Sequence, residues 1–198
     1  VRDSRAFATV RWSQVGFRQG LGVHPPGTTM RNLFGQVDGT VNPEPQSTDF
    51  AEVVWREDDS TTMVIRRIAM NLDNWEKADR TSREFAVGRR LSDGSPLTGT
   101  SEHDVPDLEA TDENGFTVIG PAAHIRRAQT DDRSQRFLRR AYNYDLGPGS
   151  SDAVGLIFTT FQADIEHQFL PVQQRLAEVD GLNEWTTPIG SAVFWIPA

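Results

Sequence analysis

A single carboxylate lies between glycines in the segment RNLFGQVDGTVNP, residues 31–43. Asp38 occupies the fourth position of the pattern Gly-x-x-Asp-Gly, which begins at Gly35 and ends at Gly39. This pattern is typical of a turn, because glycine adopts unusual backbone angles and aspartate caps turns. The same residues would also suit a reacting carboxylate that needs bare backbone around it. Taken alone, the segment leaves both interpretations open, and the turn is the more ordinary one.

The chain contains four histidines, which differ in their surroundings. His24 lies in a Gly/Pro-rich loop, His103 in an acidic loop, and His167 at the start of a helical pattern. His124 follows a strand-like run and two small residues, and it precedes the tripeptide IRR. No paired spacing such as His-Glu-x-x-His is present, so a zinc site built from histidine alone is not expected.

Arginine pairs occur at four separated places: Arg66–Arg67, Arg89–Arg90, Arg126–Arg127 and Arg139–Arg140. The last pair falls in residues 133–142, which we expect to be a short helix, and by default it would lie on a solvated face. The pairs do not form one basic tail. A net charge of −8 and a pI of about 5.0 argue against a nucleic-acid partner, whose phosphates would repel the chain.

Cysteine is absent from the 198 residues. Disulfides, thiolate nucleophiles, iron–sulfur clusters and thiolate-ligated haem therefore cannot form within this chain. Any metal would have to be held by histidine, carboxylate, tyrosine or methionine. No apolar run approaches the ~20 residues that a membrane span requires. Because the chain begins with valine and has no signal segment, we expect a mature or truncated polypeptide.

The pattern of elements predicts an α+β fold in which about five strands interleave with two longer helices. Strands are expected over residues 6–12, 61–70, 115–120, 154–161 and 191–196. One helix is expected from Asn71 or Asp73 to Val87, ended by Gly88, and a second follows His167 with Pro171 near its start. Residues 91–115 form a long stretch without regular order, which is usually functional or mobile. The order of elements is compatible with a ferredoxin-like unit.

Several segments in a fixed order resemble one protein family. After RNLFGQVDGTVNP come VIRRIAMNLDNW, VGRRLSDGSPLTG, GPAAHIRRAQ, RFLRRAYNYD, FTTFQADIEHQFLPVQQRL and LNEWTTPIGSAVFWIP. The chain resembles the C-terminal half of the dye-decolorizing peroxidases, which are haem enzymes built from two ferredoxin-like domains. The resemblance spans roughly residues 16–198. The HIRRA and LRRAYNY segments look most like the subgroup exported by the twin-arginine route.

The resemblance implies a role for particular residues. His124 matches the proximal ligand of the haem iron, and Asp38 matches the distal carboxylate of the Gly-x-x-Asp-Gly motif. Arg139 matches the distal arginine, and its neighbour Arg140 is the alternative for that role. Glu184, in the segment LNEW, is a candidate acceptor for the ring N–H of His124. Gly35 and Gly39, together with Arg140 and Glu184, are counted among the residues that hold the cofactor, non-covalent haem b.

These residue types suit peroxide chemistry. An imidazole whose far N–H is bonded to a carboxylate is a stronger electron donor to iron. A carboxylate such as Asp38 can move a proton from one peroxide oxygen to the other, and Arg139 can stabilise negative charge on the departing oxygen. Which of the two dominates stays open. A carboxylate base implies activity best at acid pH, and Tyr142, Tyr144, Trp185 and Trp195 are candidate electron relays.

Members of this family are about twice as long as this chain. The domain division expected from the resemblance is an N-terminal strand and connecting loop in residues 1–30 and a C-terminal haem-binding domain of ferredoxin-like (dimeric α/β-barrel) type in residues 31–198. The family's N-terminal domain is absent from the chain. We therefore expect a companion polypeptide or segment to complete the fold, and homo-oligomerisation is compatible with the same sequence. Secretion or a cell-envelope location is implied by the resemblance, although the sequence is also compatible with a cytoplasmic location.

The leading function is a haem peroxidase whose partners are hydrogen peroxide and an organic reductant such as a dye or phenolic. A second function is a haem-handling or iron-supply protein on the same fold. A third is a non-catalytic ferredoxin-like module. Retention of Asp38, His124 and Arg139 together argues against the third, since a degenerate module would have no reason to keep all three.

Overall fold

An antiparallel sheet forms the centre of the computed structural model, which describes residues 6–19, 28–149 and 152–198. Its five strands are β1 (Thr61–Met70), β2 (Leu138–Arg139), β3 (Tyr142–Asp145), β4 (Val154–Gln162) and β5 (Thr186–Ile196). The sheet order is β2-β4-β1-β5, and β3 also pairs with β4. Because β2 and β3 follow one another along β4, they act as one interrupted edge strand. The sheet is open, and the β-α-β-β-α-β order confirms the predicted ferredoxin-like, α+β class.

Helices fill the connections between the strands. They are α1 (Thr48–Val54), α2 (Leu72–Lys77), α3 (Arg80–Val87), α4 (His124–Ala128) and α5 (Leu170–Val179), and a π-helical turn, Ile165–Phe169, leads into α5. Side-chain oxygens of Ser47, Asn71 and Asp79 cap the first three helices by accepting backbone N–H bonds. In the described part of the chain, no helix is long and apolar enough to cross a membrane.

The core lies between one face of the sheet and the helices. In β1, Val64 and Met70 are buried, and alternate side chains of a strand point to the same face. Met70 packs with the buried aromatic rings Phe34 and Trp75, and Val64 packs with Phe169 at the start of α5. The helices therefore pack on one face of the sheet, as predicted.

The strand predictions succeed for three segments that pair in the sheet and fail for two segments that lie outside it. Residues 61–70 and 154–161 form β1 and β4, and residues 191–196 lie within β5. The predicted strand over residues 6–12 is wrong, because these residues form no strand pairing with the described part of the chain; the described N-terminal segment first pairs with the sheet at Phe17, which is bridged to Asn143. Residues 115–120 are also not a strand, since only Thr117 is bridged, to Thr111.

Two helix predictions need correction. The helix expected up to Val87 is two helices, because Ala78 is extended (ψ 141°) and Asp79 caps a new start by accepting a bond from the Ser82 N–H. Gly88 ends the second of them at φ +83°, as predicted. The short helix expected over residues 133–142 is a single 3₁₀ turn followed by β2 and β3, because these residues pair with β4.

Two arginines order the long loop that follows α3. Arg89, which is buried, donates from one terminal nitrogen to the backbone oxygens of Gly94 (2.7 Å) and Glu102 (2.9 Å). Arg90 donates to the Ser95 hydroxyl and to the backbone oxygens of Pro96 and Gly99. The stretch expected to lack regular order has no helix or strand over residues 91–115, but these bonds give its first part a defined path.

Replacing Gly94 with alanine is expected to lower the free energy of unfolding by about 2–4 kcal/mol. Gly94 has φ +79°, and an added Cβ would lie 2.7 Å from Cγ1 of Val37, the residue before Asp38. Gly115→Ala is the matched control, because its φ is +83° but nothing lies within 4 Å of the added Cβ. The free energy of unfolding of the control should fall by only about 1–2 kcal/mol, which is the cost of the backbone strain alone. Urea unfolding of both variants measures the difference, and equal losses would show that the contact with Val37 is unimportant.

Candidate active site

The Asp38 segment is a tight turn that also presents its carboxylate. The Asp38 N–H donates to the backbone oxygen of Met30 (2.9 Å), and the Gly35 N–H donates to that of Asn32 (2.9 Å). The side-chain oxygen of Asn32 accepts two further backbone bonds within the turn. Gly35 and Gly39 have φ of +79° and +115°, which explains why the pattern needs glycine at both places. The two interpretations of this segment are therefore compatible with each other.

Arg139 is the arginine that meets Asp38. Its Nε donates to Asp38 Oδ1 over 2.8 Å, and the side chains of Arg139 and Asp38 are 25% and 15% exposed. Asn42 fixes the backbone of Arg139 by two bonds, accepting from its N–H at Oδ1 (3.0 Å) and donating from Nδ2 to its carbonyl oxygen (2.8 Å). The sequence interpretation missed Asn42, although it lies in the same motif, four residues after Asp38.

Arg140 takes a different path from Arg139. Its side chain is exposed, and its Nε donates to the hydroxyl of Tyr142 over 2.7 Å. Of the two arginines that the sequence left as alternatives, the structure brings Arg139 to the carboxylate.

His124 is the first residue of α4, and one of its two ring nitrogens contacts a carboxylate. Its Nδ1 lies 2.6 Å from Oδ2 of Asp180, whose side chain is 5% exposed. Asp180 ends α5, and its Oδ1 accepts the N–H of Leu182 (3.0 Å). Among the residues that the structure describes, Nε2 of His124 has no hydrogen-bond partner. The imidazole is therefore oriented by a buried carboxylate and keeps one nitrogen free to bind a ligand.

The partner predicted for His124 was Glu184, and this prediction is wrong. Glu184 is exposed at the end of a 3₁₀ turn, Gly181–Glu184, whereas Asp180 caps the start of that turn. Asp180 is brought to His124 because α4 packs on α5, with Arg175 of α5 donating to the backbone oxygen of Arg127. The available sequence signal was an aspartate at the end of a helix and just before a glycine.

The loop after α3 touches both the Asp38 turn and α4. A Cβ added to Gly88 would lie 2.7 Å from Cγ1 of Ile125, the residue after His124. A few residues further along the loop, the backbone oxygen of Leu91 accepts a bond from Arg31, which also donates to that of Gly35. Residues 88–94 therefore connect the Asp38 turn to α4, which carries His124.

Arg89 adds a second positive charge near Arg139. Burial lowers the pKa of the Arg89 guanidinium, the nearby charge of Arg139 lowers it further, and Glu102 opposes this. Two arginines thus influence each other in a partly desolvated setting, where Asp38 and Glu102 balance their charge.

The other histidines do not form a comparable site. His103 and His167 have side chains that are 58% and 51% exposed, beside Glu102 and Asp132 respectively. His24 lies outside the described residues. Within the described ranges, no group of three or more His, Cys, Asp or Glu side chains could hold a metal ion.

A separate cavity of about 520 Å³ lies between α3 and residues 112–121. Phe85 and Phe116 contribute to its mainly apolar lining, whereas Asp38, His124 and Arg139 do not line it. It is therefore a feature distinct from the candidate site.

Comparison with known proteins gives a consistent result. Residues 29–198 match the family model described as Dyp-type peroxidase, C-terminal. A dye-decolorizing peroxidase from Thermobifida fusca (strain YX) is 40% identical over 206 residues, which cover 96% of this chain and 47% of that protein. A deferrochelatase from Escherichia coli O6:K15:H31 is 34% identical over 211 residues, which cover 98% of this chain and 49% of that protein.

A solved structure agrees with the sequence matches. The crystal structure of a DyP-type peroxidase from Cellulomonas bogoriensis superposes with a TM-score of 0.92 at 51% identity, covering 99% of this chain and 56% of that chain. The chain spans about half the length of the curated relatives it matches. Since the family model covers nearly all of the described fold, the chain belongs to the Dyp-type peroxidase family, in the part that forms its C-terminal domain.

Proposed function

We propose that this chain is the haem-binding half of a peroxidase that uses hydrogen peroxide to oxidise dyes, phenolics or similar bulky reductants. The observation that carries the proposal is the 2.6 Å contact between His124 Nδ1 and Asp180 Oδ2. It leaves Nε2 as the free nitrogen of an imidazole that already donates to a carboxylate, which is the arrangement that suits a haem-iron ligand.

The proposed cofactor is haem b held without covalent links. The chain has no cysteine to form thioether bonds, and His124 would bind the iron through Nε2. When bound, the haem would supply the redox chemistry and the place where peroxide binds. Asp180 would keep the imidazole in the tautomer with the proton on Nδ1 and increase its electron donation.

Asp38 and Arg139 would handle the peroxide proton. Arg139 engages only Oδ1 of Asp38, so Oδ2 is available to take a proton from one peroxide oxygen and to return it to the other. The guanidinium would stabilise negative charge that develops on the departing oxygen. The bonds from Asn42 hold the Arg139 backbone in place for this role. Gly35 and Gly39 would let the backbone approach a flat ring closely.

The activity test is peroxide-dependent oxidation of an anthraquinone dye by the haem-loaded protein. Bleaching of the dye should require both haem and hydrogen peroxide, and it should disappear when either is omitted. Absence of peroxide-dependent oxidation by protein that carries stoichiometric haem would contradict the proposed activity.

Replacing Asp180 with asparagine should weaken haem affinity by about 10- to 100-fold and lower the iron–histidine stretching frequency in the resonance Raman spectrum. Asparagine can still accept the Leu182 N–H, but it presents a neutral group to His124. Glu184→Gln is the matched control, since it also removes one carboxylate and lies on the exposed side of the same turn. A larger effect of Glu184→Gln than of Asp180→Asn would contradict the assignment of Asp180.

A companion segment or polypeptide is proposed to cover exposed apolar surface. Large apolar side chains lie exposed in the N-terminal segment and on β5, among them Phe7, Trp12, Val15, Val193 and Trp195. A monomer rarely exposes large apolar patches, and Val193, Phe194 and Trp195 are three consecutive exposed residues of β5. Size-exclusion chromatography with mass spectrometry should show the haem-loaded chain bound to a second polypeptide or to another copy of itself. A stable, haem-loaded monomer of 22.1 kDa would contradict this proposal.

Haem handling or iron supply is a second candidate function. It is favoured by the 34% identity to a protein named deferrochelatase. Incubation of the haem-loaded chain, reduced with dithionite, with a ferrous-iron chelator and without peroxide would release Fe²⁺ in exchange for two protons from solvent and leave a fluorescent, metal-free porphyrin if this function dominates. Persistence of the haem spectrum under these conditions would favour the peroxidase.

We further propose that the protein is secreted or placed in the cell envelope through twin-arginine export. The similarity of the HIRRA and LRRAYNY segments to the exported subgroup supports this location. Cell fractionation of the source organism would test it, and recovery of the protein only in the cytoplasm would contradict it.

A further inference from the structure

Two guanidinium groups lie near the ring of Tyr142 at one edge of the sheet. The Nε of Arg140 donates to the Tyr142 hydroxyl over 2.7 Å, and Arg140 Cζ lies 5.9 Å from the ring centroid. Arg18 Cζ lies 5.5 Å from the same centroid. The chain around Arg18 reaches this edge because Phe17 pairs with Asn143, the residue after Tyr142.

Neither guanidinium of this cluster forms an ion pair with a carboxylate among the residues that the structure describes. In the described part of the chain, the arginines that form ion pairs are others: Arg67, Arg80, Arg126, Arg127, Arg136 and Arg139. Arg18 and Arg140 are both exposed, in a chain whose net charge is −8. The cluster is thus a local positive site on an acidic protein, which favours an anionic ligand.

The two guanidinium groups affect the pKa of the Tyr142 phenol. The hydrogen bond from Arg140 is the largest effect on the pKa of Tyr142 and lowers it; burial opposes this, and the charges of Arg140 and Arg18 each add a smaller lowering effect. A negative charge near this oxygen is therefore stabilised by the same two side chains.

The hydrogen-bond geometry leaves Arg140 able to bind an oxyanion. Its Nε is used by Tyr142, whereas both terminal nitrogens lack a partner among the described residues. Two parallel N–H groups match the two oxygens of a carboxylate or sulfonate, so a guanidinium binds such groups with two bonds. A guanidinium also stacks on aromatic rings, so the exposed Arg18 can contact the ring of the same ligand.

We propose that Arg18, Tyr142 and Arg140 form a binding site for an aromatic anion, that is, an aromatic ring carrying a sulfonate or carboxylate group. The site lies at the β2–β3 edge, opposite β5, and Arg140 directly follows Arg139 in the chain. The role of this site in binding the reductant rests on the proposed peroxidase function. Binding of an aromatic anion to the site does not depend on that function.

The test compares two probes that differ in charge, anthraquinone-2-sulfonate and uncharged 2-methylanthraquinone. Arg18→Gln and Arg140→Gln should each weaken binding of the sulfonate about fivefold or more, and added salt should weaken it further. Arg133→Gln is the control, because Arg133 is also exposed, lies outside the cluster, and the substitution removes the same charge. Affinity for the sulfonate that is unchanged in both cluster variants, or equal binding of the two probes, would overturn the proposal.

Titrations without peroxide separate this proposal from the proposed activity. They are performed by fluorescence on the haem-loaded protein and repeated on the haem-free chain. Binding that depends on Arg18 and Arg140 in both forms supports the site even if no peroxidase activity is found. Binding that occurs only in the haem-free chain would place the probe in the haem pocket and overturn the proposal.

Discussion

Replacing His124 with alanine is expected to weaken haem binding by at least about a hundredfold and to remove the Soret band from the purified protein. The reason is the absence of a substitute ligand. The chain has no cysteine, and the other described histidines are exposed beside surface carboxylates. The absorption spectrum after reconstitution with haem b measures the effect.

Two controls separate ligand loss from misfolding. His167→Ala removes an exposed histidine that bonds Ser134, and it should leave the Soret band unchanged. His124→Gly in the presence of free imidazole should regain part of the band, because the added base can occupy the place of the lost side chain. An unchanged Soret band in His124→Ala would refute the assignment of His124 as the iron ligand.

Replacing Asp38 with asparagine is expected to slow the reaction of the haem-loaded protein with peroxide by about 10²- to 10⁴-fold, without loss of haem. Asparagine has nearly the same shape and can still accept the bond from Arg139 Nε, but it cannot take up a proton at neutral pH. Stopped-flow absorption at the Soret band, with increasing peroxide, gives the rate constant.

The matched control for this variant is Asp49→Asn. Asp49 also accepts a bond from an arginine, Arg136, over 2.6 Å, but it lies on α1 and outside the candidate site. The control should react with peroxide as the wild type does. An Asp38→Asn rate equal to the control, together with a slow Arg139→Gln variant, would transfer the main role in peroxide cleavage to Arg139.

Local sequence patterns predicted the strands that carry a run of β-branched and apolar residues. β1 was predicted over its full length because its run of β-branched and apolar residues needs no distant information. Arg139 was expected on a helix, and it lies on a strand because residues 138–139 pair with β4. Such pairing is a tertiary effect that overrides local propensity, and a single sequence does not reveal it.

Some residues of the candidate site could likewise be found from the sequence, whereas others depend on tertiary packing. The resemblance singled out Asp38, Arg139 and His124, and the structure brings the first two together at 2.8 Å, while their catalytic roles stay predictions. Asp180 was missed because its proximity to His124 arises from the packing of α4 on α5. Glu184 was predicted from the segment LNEW. It lies four residues after Asp180, at the other end of a tight turn, and its side chain points to solvent.

The most direct test of the central claim is the absorption spectrum of the haem-loaded protein before and after addition of one equivalent of hydrogen peroxide. With His124 binding iron and Asp38 moving the proton, the Soret band should shift within the mixing time and return when a reducing dye is added. A Soret band that stays in place, or a haem that is simply bleached without oxidising the dye, would contradict a peroxidase.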